Sequence, residues 1–339
     1  MLTESNREKC IGIIRSAIKY CNDNLYRYKG KKIDIVFEID ESPIIGNMPF
    51  KACCKPVDDG YKIIIDAKLF ERTFEVLNAL LAKENNSFYM MLSGEYDYNN
   101  EKANLYLDIL YEIAVKLVIF HELGHIYNGH LDYKNSRNYS AETSMFMSSE
   151  CNKLPPIESQ VLEMDADAFA ATLGIGQITF DNNIKNFNNI IKGIIKDKKH
   201  ALVLFIIGSN IIFSLQGLGR KKKIKDIKGL KYLPLRARQD CYVKSSLNAF
   251  TYLNPKETLI FGQQILNIAF FREVLPNIEQ YTNLFFREAY GFSYDHYDMS
   301  NNKNELGRDI LNHCDYLNEF WLKDMRDKLK PYAYFELAK

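Results

Sequence analysis

Residues 121–130 read HELGHIYNGH and follow the run LYLDILYEIAVKLVIF, which is apolar enough to be buried. His121, Glu122 and His125 therefore fall at the end of a segment where unpartnered polar groups are costly. On a helix the two histidines stand one turn apart, about 6 Å along the axis and about 40° round it, so both imidazoles can reach one metal ion. A bound zinc would offset the cost of their burial. Glu122 projects about 100° from His121, too far round to share the ligand face but close enough to serve a water as general base. A catalytic zinc keeps three protein ligands and an open fourth position. The stretch EMDAD offers Glu163 as the third ligand, with Asp167 one turn further on the same face. The Asp167 carboxylate can accept the outer N–H of a ligating histidine and fix its tautomer. Asp165, on the far side of that turn, reads as a solvated or capping residue.

The competing reading is an ordinary helix with satisfied core histidines, since a bare His-Glu-x-x-His string occurs by chance. Three circumstances favour the metal: the motif lies on a buried helix, acids at i and i+4 follow on a second helix, and that helix is otherwise apolar and alanine-rich, where solvated charges are not expected.

The elements that must position these groups can be read from periodicity. KKIDIVFEI (31–39) and YKIIIDA (61–67) are rich in β-branched and aromatic residues and predict strands of one small sheet. Residues 68–84 read as helix. Leu105, Ile109, Ile113, Leu117 and Phe120 repeat at helical spacing over about 101–129, with Asp108, Glu112 and Lys116 on another face. A long Asn- and Ser-rich loop with a short helix in it follows, then a helix from Pro156 that ends at Gly174. From about 183 onward the pattern is helical, broken near Gly219, Pro234, Pro276 and the loop YGFSYDHYDMSNN. The expected fold class is α+β and mainly helical. Residues 1–100 form an N-terminal helix and sheet lobe, 101–180 the metal-binding helices and 181–339 a helical lobe.

Lys and Arg number 44 against 43 for Asp and Glu, so no global field draws the chain to nucleic acid or membrane. Seven cysteines, with Cys53 and Cys54 adjacent, do not form a secreted disulfide framework, and a reducing cytosol is the simpler setting. The N-terminus reads as a capped amphipathic helix, so export is not expected. Residues 201–218 (ALVLFIIGSNIIFSLQGL) are the main doubt about a membrane, being near the length of a short span. Ser209, Asn210, Ser214 and Gln216 interrupt them, which favours a buried core helix. The basic stretch 219–231 lacks interleaved aromatics and reads as a solvated loop.

HELGH followed by EMDADAFA resembles the gluzincin zinc metallopeptidases, and the Glu-x-x-Ala-Asp form is similar to that of the M48-type enzymes. The resemblance covers residues 117–130 and 160–172. It implies a zincin-like fold, with His121, His125 and Glu163 as zinc ligands, Glu122 as general base and Asp167 behind a ligating histidine. It also implies a small sheet over the motif helix, whose edge strand binds an extended peptide, and the strand at 61–67 would suit that place. YLPLRARQ (232–239) loosely resembles a stretch that contacts substrate in such enzymes, which makes Arg236 and Arg238 candidates. His296 and Tyr294 are candidate oxyanion donors from the C-terminal half. The metzincin pattern fails on spacing: Asn128 stands at its glycine and His130 comes one residue early, so His130 reads as a helix-end histidine. Soluble proteins with this motif include phage-exclusion peptidases of the Lit type and repressor-cleaving peptidases of stress responses. The expectation is a cytoplasmic zinc metalloendopeptidase acting on a protein substrate, with no nucleic acid or membrane partner; the alternative is a non-catalytic zinc-binding interaction protein.

Overall fold

The computed structural model describes residues 4–25, 33–42, 50–139, 143–144, 154–179, 194–217, 227–230, 233–255, 275–290 and 305–337. Helix α1 (Glu4–Leu25) buries Cys10, Ile14, Ala17 and Cys21, one stripe of an amphipathic pattern. Strands β1 (Asp34–Asp40), β2 (Ala52–Val57) and β3 (Gly60–Asp66) follow, then α2 (Ala67–Leu80), whose first turn is capped by Asp66 accepting from the Lys68 N–H at 2.9 Å. Short α3 (Asn86–Ser93) leads to α4 (Asn100–Tyr127), started by Asn99 accepting from the Lys102 N–H.

The sheet order is β1-β3-β2-β4, where β4 is the two-residue strand Thr143–Ser144. β1 runs parallel to β3, and β2 pairs antiparallel with β3 through the turn at Asp58–Asp59. The expected strand at 61–67 is thus an interior strand and not the sheet edge. Ile63, Ile64 and Ile65 are all buried, and since successive side chains point to opposite faces, both faces of β3 are covered. β2 was not legible as a strand, because ACCKPV has a proline and little alternation.

Helix α4 is the centre of the fold and is buried almost all round from Tyr106 to Tyr127. Helix α5 (His130–Ser136) follows after a two-residue turn at Asn128–Gly129. Helix α6 (Pro156–Thr179) lies across α4 so closely that a Cβ on Gly124 would stand 3.0 Å from Ala166 Cα. The glycine of HELGH is therefore a crossing point for two helices. Gly174 does not end α6: a side chain there would stand 2.4 Å from the Phe205 ring, so this glycine makes room for the next helix and not for a cap.

That next helix, α7 (Lys198–Gly217), carries the segment that could span a membrane by length, and 83% of its apolar window is buried inside the protein. Two of its interrupting polar groups are satisfied inside the protein: Ser209 Oγ donates to the Ile206 carbonyl at 2.7 Å, and Asn210 meets Thr282 Oγ1 at 2.7 Å and Gln239. Among the described residues the helical half also contains α8 (Leu235–Leu253), α9 (Leu275–Tyr290) and α10 (Glu305–Phe320), and α10 continues through a π turn at Trp321–Met325 into α11 (Arg326–Leu329). The architecture is a mainly helical α+β fold with a small sheet, and one apolar cluster runs through it from Cys10 to Phe286. The chain then returns to α4, where the Tyr334 N–H donates to the Tyr127 carbonyl at 2.8 Å.

Candidate metal centre

His121, Glu122 and His125 sit in the last two turns of α4, and Glu163, Asp165 and Asp167 in the middle of α6. The Gly124 crossing holds the two helices together at this level, so the acids face the histidines. His121 Nε2 and His125 Nε2 are 3.2 Å apart. Glu163 bridges them, Oε2 lying 3.5 Å from His121 Nε2 and Oε1 3.5 Å from His125 Nε2. One donor atom from each of the three residues lies within 4.8 Å of the others, a group that could hold a metal ion.

The donor chemistry fits a cation. Asp167 Oδ1 is 2.8 Å from His121 Nδ1, and an ionised carboxylate can only accept. The proton of a neutral His121 therefore belongs on Nδ1, which leaves a lone pair on Nε2 aimed at His125. Glu163 Oε2 and both carboxylate oxygens of Glu122 are buried without a hydrogen-bond partner. Buried acceptors without a donor at hydrogen-bonding distance cost about 1–3 kcal/mol each. A positive ion among them would satisfy the imidazole and carboxylate acceptors together, and two imidazoles with one carboxylate suit a divalent transition metal.

Without an ion the same carboxylates favour a proton on His121, so a metal and a proton compete for its Nε2. Burial opposes a charged His121, yet Asp167 and Glu163 beside it outweigh that and hold it up at about 9. Burial also opposes charge on Glu163, but the His121 contact and Arg238 keep it below the usual carboxylate range. Asp167 is held low against its burial chiefly by Arg238. Glu122 has burial and no direct cationic partner, and burial raises it to about 7 although His121 pulls the other way. Both burial and the positive charge of His121 push His125 well below the ordinary histidine value.

Arg238, on α8, donates from Nε to Asp167 Oδ2 and from Nη2 to Asp167 Oδ1, both at 2.8 Å. Its Nη2 is 3.6 Å from Glu163 Oε2, and its guanidinium carbon is 5.9 Å from the centre of the Phe213 ring. The structure thus brings together His121, Glu122, His125, Glu163, Asp167 and Arg238. Arg236 lies on α8 with its side chain outside the described residues, as are His296 and Tyr294 altogether. The sheet reaches the motif through Cys54, whose thiol donates to the Glu122 carbonyl at 3.5 Å.

Two residues differ from their sequence reading. Asp165 is not solvated: it is 8% exposed, with His130 Nε2 3.0 Å from its Oδ2 and Asn128 donating to the same oxygen. His130 does begin a helix, but it is fully buried, with its Nδ1 2.8 Å from His125 Nδ1. The available signal was α6 itself, apolar all round and therefore with no solvent side for Asp165 to occupy. Comparison with protein-family models, with curated proteins and with solved structures gave no match.

Proposed function

We propose that this protein is a cytoplasmic zinc-dependent metalloendopeptidase of zincin-like architecture. Its substrate would be an intracellular protein, in the setting of phage exclusion or a stress response. The carrying observation is Glu122: a carboxylate one residue from a candidate ligand, with both oxygens buried and without hydrogen-bond partners. A site that only held a metal has no use for it, and an uncompensated buried carboxylate is costly. Zinc held by His121, His125 and Glu163 would supply a Lewis acid for the scissile carbonyl and lower the pKa of water.

The chain's own groups would do the remaining work. Glu122 accepts a proton from the water as it attacks and passes it to the leaving amine. Asp167, fixed by Arg238, holds His121 in the Nδ1–H tautomer. The resemblance of HELGH and EMDAD to the gluzincins supports the same assignment.

A second reading is a non-catalytic zinc-binding interaction protein, and the burial favours it: His121, Glu122 and His125 are all 0% exposed. Glu122→Gln separates the two. It keeps the volume and a polar group but removes the base, so zinc should stay while cleavage collapses. Proteomics of cells expressing the wild type and Glu122→Gln would expose the substrate as a protein cut only by the former. An identical set of cleavage products in both would leave the interaction protein as the reading.

A further inference from the structure

The contacts behind His125 are absorbed by neither reading. His125 Nδ1 lies 2.8 Å from His130 Nδ1, and His130 Nε2 lies 3.0 Å from Asp165 Oδ2. Asn128 Nδ2 donates to that same carboxylate oxygen. The backbone enforces the arrangement. Gly129 has φ 78°, a left-handed conformation open to glycine, and a Cβ there would stand 2.5 Å from the Tyr332 carbonyl carbon. This turn ends α4 and swings His130 back against His125 instead of letting it continue along the helix.

We propose that Asp165 and His130 are positioning residues that set the tautomer of His125 and so present its Nε2, unprotonated, toward His121 and Glu163. The steps follow from the hydrogen-bonding capacity of each group. An ionised Asp165 has only lone pairs, so the proton in its contact with His130 sits on His130 Nε2. A neutral imidazole carries one N–H, and the neutral form is favoured for a ring with no solvent exposure. His130 Nδ1 is therefore an acceptor. The 2.8 Å contact between the two Nδ1 atoms needs one proton, which His125 must provide. His125 Nε2 is then left with its lone pair.

The carboxylates of α6 thereby acquire distinct tasks. Glu163 faces both rings, Asp167 orients His121 directly, and Asp165 orients His125 through His130. The acids at 163, 165 and 167 thus serve one site. The inference rests on the metal-site reading and not on peptidase activity.

The test uses the full chain labelled with ¹⁵N-histidine and freed of metal by chelation, in which long-range ¹H–¹⁵N correlations report which ring nitrogen carries the proton. His125 should show a protonated Nδ1 and a bare Nε2. A protonated Nε2 with a bare Nδ1 would overturn the proposal whatever the variants do. Zinc affinity, measured by competition with a chelator, gives the second readout. His130→Leu should weaken zinc binding about ten- to a hundred-fold, the usual loss when a group supporting a ligand is removed. His130→Gln should restore most of it, since its amide oxygen can accept from His125 while its NH₂ donates to Asp165. Asp165→Leu, which can accept nothing from His130 Nε2, should lose both the His125 signature and affinity. A merely structural role would make His130→Leu and His130→Gln equally poor, and that result, or affinities all within about twofold of wild type, would also overturn the proposal. If the variants fail to fold, the wild-type tautomer decides alone. Should the tautomer and affinities behave as stated while Glu122→Gln leaves proteolysis unchanged, the peptidase reading falls and this assignment stands.

Discussion

Arg238 grips Asp167 through two hydrogen bonds of 2.8 Å, Nε to Oδ2 and Nη2 to Oδ1, and each residue is 2% exposed. This is the bidentate geometry in which a planar guanidinium outperforms an ammonium. The pair ties α8, from the helical half, to the helix that carries Glu163. It also settles the orientation of Asp167, and with it the tautomer of His121.

Removing the cation from such a pair strands a buried carboxylate, so Arg238→Met should destabilise the protein by about 3–5 kcal/mol. Arg238→Lys keeps the charge and loses the fork, and should fall between that variant and the wild type. Urea denaturation of the three proteins checks the order. A midpoint for Arg238→Met equal to wild type would show that the pair does not operate as described.

Purified protein should hold about one zinc per chain, and His121→Ala or His125→Ala should abolish it. Glu163→Gln should bind more weakly without losing the site. Removing the metal should also lower the melting temperature, because a ligand present at about a thousand times its Kd adds about 4 kcal/mol to the folded state. Atomic spectroscopy and calorimetry with and without chelator make the comparison. Stoichiometric zinc in both histidine variants would sink the ligand assignment.

The centre was legible because its signals are local. HELGH and EMDAD each place their groups on one or two helical turns, and helical spacing fixes their mutual directions before any tertiary structure is known. Residues joined by long-range contacts were harder. Arg238 entered the sequence reading only by a loose resemblance, as a substrate contact, whereas the structure places it on Asp167, 71 residues away in sequence. The tie of His130 to His125 depends on one left-handed turn at Gly129, and that of Asp165 to His130 on how α6 crosses α4. For the fold, periodicity located α4, α6 and α7. It could not order the sheet, since nothing in YKIIIDA says whether both of its sides are paired. Gly174 misled for a related reason: a glycine at a helix end and one at a helix crossing look the same in sequence.

Stability should also respond to pH through His200, near the start of α7. Burial and then the neighbouring Lys196 push this imidazole below its ordinary value of 6.5, while Asp197 and the Leu92 carbonyl oppose them only in part. The folded protein therefore binds fewer protons than the unfolded chain just below pH 6.5, so stability is full above the ordinary value and falls as pH drops toward the lowered one. His200→Gln should flatten that slope relative to wild type. Urea midpoints taken at intervals between about pH 7.5 and 5.5 measure it. Parallel curves for the two proteins would remove His200 from the account.

Gly124 offers a test of how closely the candidate metal centre depends on helix packing. A Cβ at this position would stand 3.0 Å from Ala166 Cα, 3.2 Å from the Ala166 carbonyl oxygen and 3.3 Å from Phe169 Cβ. Two of these neighbours are backbone atoms and cannot rotate away, so the helices must separate to admit the methyl. Overpacking of this kind costs about 1–3 kcal/mol, set against a gain of under about 1 kcal/mol from the better helix propensity of alanine. The net effect of Gly124→Ala should therefore be destabilising. Ala166 lies between Glu163 and Asp167 on α6, so the same displacement moves both carboxylates away from the histidines and should weaken zinc binding although no ligand has changed. Urea denaturation of the metal-free protein gives the first effect and chelator competition the second. A variant as stable as wild type, with unchanged zinc affinity, would show that the α4–α6 crossing has slack and that Gly124 does not set the spacing of the site.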